Sequence, residues 1–342
     1  MIKLKKKTIY DLASELNIAP STISKALNNK KGVNLETRNR IVEYAKENGY
    51  VANPTARALK SKHNYTIGIL YSELSNVGFG HPFFSMILQY SKEYLENHGY
   101  DLIFINSKSN DYQTYSDFCI TRNIAGVLIA SISSQDQMLN QLCKEPDIKV
   151  VATDYINDDV LTVLSDNKQA ITDLVDYFKK CNYKNVGIIC TLQEIYSFKE
   201  RYDLFLEICK ENNINVNKDN IIYVDGFEFE DAYRDINLHL KNHKAPEALF
   251  ALSDIFAVAA IRALTNNNYK IPQDCAIVGF DDIELARYVT PSLSTIRQDC
   301  KKIGQKAARL LLDQLEGKVI DEKIARIKTK LVIRDSSKKV GE

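Results

Sequence analysis

Residues 8–28, TIYDLASELNIAPSTISKALN, leave the start of the chain few ways to fold. Ile9, Leu12, Ala13 and Leu16 recur at helical spacing, so a short helix over Thr8–Leu16 would bury a single apolar stripe. Thr8 followed by Asp11 is a variant capping start for it. Asn17 tolerates the left-handed backbone that a sharp turn requires. Pro20 suits the first turn of a second helix, where its missing N–H costs nothing. That helix, Pro20–Asn28, would turn Ile23, Ala26 and Leu27 inward and leave Ser21, Thr22, Ser24 and Lys25 outside. Two short helices and a tight turn, the second helix carrying a small polar and basic face, predict a helix-turn-helix. Such a face fits a major groove, because Ser and Thr pair with several base edges or with phosphates. Taken alone, the pattern also suits a helical hairpin of another purpose. A third helix over Asn34–Asn48, capped by Asn34, would supply Ile41, Tyr44 and Ala45 to the same small core.

Charge separates this head from the rest of the chain. Residues 1–62 hold 13 Lys/Arg against 5 Asp/Glu, and the remainder holds 32 against 39. A lysine tail at Lys3, Lys5, Lys6 and Lys7 explains only part of that excess. A small basic head on an acidic body is what a DNA-binding module joined to a soluble sensor would show. The chain of 342 residues has room for two or three domains.

From Thr66 the pattern changes to short apolar runs alternating with helical segments. The runs are Thr66–Tyr71, Leu102–Asn106, Gly126–Ala130 and Lys149–Ala152, then Val186–Cys190, Ile221–Val224, Ala248–Ala251 and Ala276–Phe280, with Val163–Ser165 between the two sets. Alternation of this kind predicts parallel sheets covered on both faces, here two doubly wound lobes of an α/β body. The seven cysteines are scattered without a C-x-x-C pair, which predicts reduced thiols in a cytoplasmic protein and no zinc site. No apolar run of 18 residues and no signal-peptide core occur, so neither export nor membrane insertion is expected. Nucleotide-binding and hydrolase signatures are missing, and the five histidines never pair with Cys or Asp at ligand spacing. No cofactor, metal or catalytic residue is therefore expected.

The motifs T-I-x-D-L-A, S-T-I-S-K-A-L-N, E-T-R-x-R-I and N-G-Y-x-x-N-P-x-A-R-A-L together resemble the lactose-repressor (LacI/GalR) family of bacterial transcription factors. Further motifs carry the resemblance over nearly the whole chain. Two departures lie in the head: Asn17 stands at a turn position often held by Gly, and Ala19 stands where a Ser cap is usual. The second departure would weaken the helix by about 1 kcal/mol. The resemblance implies a DNA head over 1–52 and a linker over 53–62 that turns helical on DNA. In that linker Asn53 caps, Pro54 starts, Ala56 lies in the DNA contact and Leu59 wedges into the minor groove. Thr8, Ser21, Thr22, Ser24, Lys25 and Asn34 complete the expected DNA contacts.

The body, 63–342, would then take the periplasmic-binding-protein-like fold, with the chain crossing between lobes near Asp158, Ser292 and Asp321. The N-lobe would comprise about 63–158 and 292–321, and the C-lobe about 159–291 and 322–342. An effector would bind between the lobes at strand carboxyl ends. A homodimer on a pseudo-palindromic operator is expected rather than a tetramer, because no heptad-patterned extension follows Leu331–Ile333.

Five residues are candidates for the effector site. Phe83 and Phe84, in a P-aromatic-F loop, could stack on a sugar or base, one in the cleft and the other in the core. Arg201 matches the arginine of the family's R-x-x-G-F motif, with Leu204 in place of Gly; its guanidinium fork suits diol oxygens. The alternative for Arg201 is a surface charge paired with Glu200 or Glu207. Asp254 heads an apolar helix, where a carboxylate is commonly only a cap, and the family places it at the cleft. Asp281, in V-G-F-D-D, matches the effector aspartate, with Asp282 structural. Pro291–Ile296 resembles the family's P-x-L-T-T-I crossover and reads as a connection without chemistry of its own. A carbohydrate suits these residues best, with a purine or nucleoside corepressor as the alternative.

Overall fold

The computed structural model describes residues 7–27, 31–50, 64–71, 80–105, 112–130, 136–191 and 195–338. The chain divides into two units, Met1–Tyr65 and Thr66–Glu342.

The first unit holds α1 (Ile9–Leu16), α2 (Pro20–Leu27) and α3 (Leu35–Glu47). Thr8 and Asp11 form a reciprocal capping box: the Thr8 hydroxyl accepts from Asp11 N, and Thr8 N donates to the Asp11 carboxylate at 2.7 Å. Asn17 turns the chain with φ 53° and ψ 44°, the left-handed conformation its sequence position requires. Leu12, Ala13, Leu16, Ile23, Ala26, Ile41 and Ala45 make the core, which Ile9, Ile18, Leu27, Val33, Tyr44 and Tyr50 cover. Asn34 caps α3, its side-chain oxygen accepting from Thr37 N at 2.7 Å.

The second unit contains two six-stranded sheets. The first is ordered β11-β5-β4-β3-β1-β2 and the second β12-β10-β9-β8-β6-β7. The strands are β1 (Thr66–Leu70), β2 (Asp101–Phe104), β3 (Gly126–Ile129), β4 (Lys149–Thr153), β5 (Leu161–Ser165), β6 (Asn185–Thr191), β7 (Asn215–Val224), β8 (Ala248–Ala251), β9 (Ala276–Asp281), β10 (Ser294–Arg297), β11 (Ile324–Ile327) and β12 (Lys330–Val332). Every pair is parallel except β10 with β12. Central strands such as β3, β8 and β9 are buried along their whole length, as parallel strands covered on both faces must be.

Helices α4 (Pro82–Asn97), α5 (Tyr115–Thr121), α6 (Gln137–Cys143) and α11 (Cys300–Leu315) cover the first sheet. The second is covered by α7 (Asn167–Lys180), α8 (Tyr196–Glu211), α9 (Phe229–Leu240) and α10 (Asp254–Asn266).

All three crossings differ from the positions expected near Asp158, Ser292 and Asp321. The strands Leu161–Ser165, Ser294–Arg297 and Ile324–Ile327 each extend the sheet the chain is about to leave, pairing with β4, β9 and β5 respectively. The chain therefore crosses about one strand later, between β5 and α7, between β10 and α11, and between β11 and β12. Each sheet gains an edge or penultimate strand this way, which satisfies backbone groups that an earlier crossing would leave bare. Pro291–Ile296 is accordingly not a mere connection, because its second half is β10.

In the N-lobe, α4 and α11 meet at Gly304. A Cβ there would lie 2.5 Å from the carbonyl oxygen of Ile87, and the Ser91 hydroxyl donates to the Gly304 carbonyl at 3.1 Å. Gly304→Val must push two helix backbones apart, an overpacking that typically costs about 1–3 kcal/mol. The urea midpoint of the body should fall accordingly; an unchanged midpoint would show that the helices separate freely.

Candidate functional site

The head presents its polar face on α2. Ser21 and Lys25 are exposed, and Thr22 and Ser24 are half-buried beside the Ile23 and Ala26 core positions. Thr8 and Asn34 are exposed, and each accepts a backbone hydrogen bond as a helix cap. Asn53, Ala56 and Leu59 lie outside the described residues.

In the body, a cavity partly open to solvent lies between the lobes. Tyr71, His81, Phe83, Phe84 and Asp154 line it from the N-lobe, while Ile195, Ser197, Phe198, Arg201, Phe227, Ser253, Phe256 and Asp281 line it from the C-lobe. Gln298, on the second crossing, closes it. Its lining has the character of a small-molecule site, apolar with a few convergent polar groups.

Both phenylalanines reach the cavity, from the first turn of α4 and not from a loop before it. Phe83 is also part of the N-lobe core, and Phe84 packs edge-on against it with ring centroids 5.0 Å apart. The division into one cleft ring and one core ring thus does not hold. His81 packs beside Phe84 at 4.9 Å, and burial lowers its pKa to about 4, leaving a neutral imidazole in the wall.

Arg201 is 3% exposed and is no surface charge. Its Nε donates to Asn167 Oδ1 at 3.1 Å, Nη1 donates to the Leu252 carbonyl at 3.1 Å, and the guanidinium lies 3.6 Å from the centre of the Phe280 ring. Burial lowers its pKa, against the opposing charges of Asp281, Asp154 and Glu200. Glu200, its neighbour on α8, points elsewhere: it pairs with Arg326 of β11 at 2.8 Å.

Asp281 ends β9 with φ 121°, and its carboxylate accepts from Gln298 Nε2 at 2.6 Å. Burial raises its pKa to about 7, although Arg201 and the Gln298 bond favour the charge. Asp282 is held by Arg297 at 2.5 Å and Arg334 at 2.6 Å, a structural role within the C-lobe.

Asp254 departs from expectation. Ser253 is the cap of α10, accepting from Phe256 N, and it is Ser253 that lines the cavity. Asp254 is fully buried behind it, with one oxygen accepting from Ile283 N at 2.9 Å and the other from the Thr295 hydroxyl at 2.5 Å. Both oxygens are engaged in fixing the turn after β9. Burial and the neighbouring Asp281 charge raise its pKa well above the ordinary value. Gly279 makes this possible, because a Cβ there would collide with the Asp254 carboxylate.

Asp154, Gln298, Phe198, Phe227 and Ser197 were not among the expected residues. Asp154 follows β4 in the left-handed conformation, φ 59°, and burial pushes its pKa up to about 6 against the pull of Arg201 and Ser197. Phe198 stands one helical turn before Arg201 on α8, a spacing that would have placed it on the same face. Among the described residues, no group of three or more His, Cys, Asp or Glu could hold a metal ion, and no helix is long and apolar enough to cross a membrane.

Comparison with known proteins agrees with both halves. Residues 8–53 match bacterial regulatory proteins of the lacI family, and residues 175–337 match a periplasmic binding protein-like domain. The HTH-type transcriptional repressor CytR of Escherichia coli (strain K12) is 30% identical over 336 residues, covering 97% of this chain and 96% of its own. The HTH-type transcriptional repressor PurR of Photobacterium profundum is 28% identical over 335 residues, covering 97% and 98%. The crystal structure of the lac repressor dimer bound to operator and the anti-inducer ONPF has the same fold, with a TM-score of 0.81 and 19% identity over 97% of this chain and 99% of that one.

Proposed function

The chain belongs to the lacI family of bacterial regulatory proteins and is a DNA-binding transcriptional regulator under small-molecule control, and we propose that its cleft takes a neutral sugar while α2 reads the operator. The observation that carries the effector reading is the charge inventory of the cavity. Arg201 is the only Lys or Arg among the described lining residues, and two carboxylates, Asp154 and Asp281, oppose it. An anionic ligand would be buried against net negative charge, which is costly without a partner. Hydroxyls suit the set better, since a diol can accept from the Arg201 fork and donate to the carboxylates. The aromatic wall then covers the apolar faces of the ring.

A purine or nucleoside is the second reading, favoured by the number of rings in the wall: Tyr71, Phe84, Phe198, Phe227 and Phe256 stand around the polar centre. The site reads as a binding cleft. Asp281 is held by Gln298, and Asp154 is set against the Arg201 charge and the Ser197 hydroxyl. A thermal-shift screen with D-ribose, D-glucose, cellobiose, adenosine, cytidine, hypoxanthine and ribose 5-phosphate tests the reading. A shift with a neutral sugar supports it, a shift with a nucleoside or base alone selects the second, and a shift with the phosphate alone overturns both.

On the DNA side, Ser21, Thr22 and Lys25 are the base-reading residues, with Thr8, Ser24 and Asn34 as phosphate contacts and Asn53, Ala56 and Leu59 at the minor groove. A dimer places two heads on a pseudo-palindrome. Operator affinity should fall steeply with salt, since each neutralised phosphate contributes a slope of about −0.9 in log–log form. Lys25→Ala should relax specificity at its position by roughly 1–3 kcal/mol. A flat salt response, or an unchanged operator profile in the variant, would move the readout off this face.

A further inference from the structure

We propose that Asn167 is the positioning residue that ties the effector-contacting arginine to the angle between the lobes; this rests on the reading of Arg201 as an effector contact. Asn167 is the first residue of α7, immediately beyond the first crossing, and is 1% exposed. Its side-chain amide is used at both ends. Oδ1 accepts from Arg201 Nε at 3.1 Å, and Nδ2 donates to Glu200 Oε2 at 2.6 Å.

The orientation of that amide is fixed by chemistry. A guanidinium only donates and a carboxylate only accepts, so the oxygen must face Arg201 and the nitrogen must face Glu200. Neither Asp, Ser nor Leu at this position can serve both partners in the same geometry.

Glu200 leads out of the C-lobe. Its Oε1 accepts from Arg326 Nη2 at 2.8 Å, its Oε2 from Nη1 at 3.4 Å, and the Tyr196 hydroxyl donates to Oε1 at 3.0 Å. Arg326 lies on β11, which belongs to the N-lobe sheet, whereas Glu200, Tyr196, Arg201 and Asn167 all belong to the C-lobe. The chain of contacts therefore runs from the cavity through Arg201, Asn167 and Glu200 to the opposite lobe. Burial pushes the Glu200 pKa up, but the Arg326 and Asn167 hydrogen bonds outweigh it and hold the carboxylate below its ordinary value, so it stays charged.

A ligand that takes up the free edge of the Arg201 guanidinium pulls on Asn167 and, through it, on the ion pair that spans the lobes. Rotation of one lobe on the other breaks Glu200–Arg326, frees the amide and loosens Arg201. Reciprocity between site and lobe angle follows from linkage.

The test uses the full-length protein without ligand and reads solvent exchange of the Arg201 Nε–H by NMR. Arg326→Met changes a residue that does not touch Arg201. Exchange should quicken about fivefold, the factor that one ordinary hydrogen bond is worth. In an Asn167→Leu background, Arg326→Met should add nothing. Glu200→Gln, which keeps the shape but removes the charge, should quicken exchange as Arg326→Met does, and the two should not add; this pair decides the matter if Asn167→Leu does not fold. An unchanged Arg201 signal in Arg326→Met overturns the proposal, as does an equal acceleration in the Asn167→Leu background. Because no ligand is present, an effector that avoids Arg201 would leave this result standing and show itself instead as normal ligand titration of an Arg201 variant.

Discussion

Arg201→Met should lower effector affinity by about 10- to 150-fold, the equivalent of roughly 1.5–3 kcal/mol for hydrogen bonds made by a charged group. The methionine fills much of the same volume against the Phe280 ring, so the loss comes from the missing fork and not from a cavity. Removing the cation also leaves the Asp154 and Asp281 charges near one another with no opposing charge from Arg201. Their pKa values, already raised by burial, should rise further, and both carboxyls should be neutral near pH 7. The variant should therefore fold and bind operator without effector. Titration with whichever sugar or nucleoside shifts the melting of the wild type, followed by a gel shift on operator DNA, measures both outcomes. Wild-type affinity in the variant would remove Arg201 from the site.

Asp281→Asn should change how the stability of the body depends on pH. Asp281 titrates near 7 in the folded protein against an ordinary value of 3.8, chiefly because it is buried. A carboxyl whose folded pKa is raised binds protons more tightly folded than unfolded. Its contribution is fully present below the ordinary value and is lost as pH rises through about 7. Between pH 4 and pH 8 the wild type should lose stability relative to the asparagine variant, the direction a raised carboxyl pKa requires. His81 works in the opposite sense: burial lowers it to about 4, so its contribution grows as pH rises from there toward its ordinary 6.5. For that reason the difference between the two proteins is the quantity to measure, by urea unfolding at several pH values. A difference that stays constant from pH 4 to pH 8 would mean that Asp281 titrates normally.

Much of this architecture was legible in the chain. The head follows from local rules, since the Thr8–Asp11 capping box, the left-handed Asn17 and the inward stripe of Leu12, Ile23 and Ile41 depend on neighbours in sequence. The buried strands of the two sheets show as apolar runs for the same reason. The crossings were harder to place. Leu161–Ser165, Ser294–Arg297 and Ile324–Ile327 are four- or five-residue strands whose membership is decided by distant partners in the sheet.

The site divides along the same line. Arg201 and Asp281 sit in motifs, and Phe198 could have been found from its spacing to Arg201. Asp154 could not, because it matters only through a left-handed residue in one lobe facing a guanidinium in the other. Asp254 misled for a related reason. A carboxylate at a helix start looks the same in sequence whether it faces a cleft or, as here, anchors Thr295 and Ile283 behind it.

The three crossings run side by side and are laced together. The Ser165 hydroxyl donates to Gln298 at 2.5 Å, which ties the first crossing to the second, and Thr329 donates to Gln169 at 3.0 Å, which ties the third to the first. Two independent straps would let one lobe twist as well as swing. Three straps fastened to one another resist torsion and leave a single easy degree of freedom, as in a door hung on several pins. Whatever occupies the cleft can then report only an angle. Ligands that set the same angle would give the same signal, whatever contacts they used to set it.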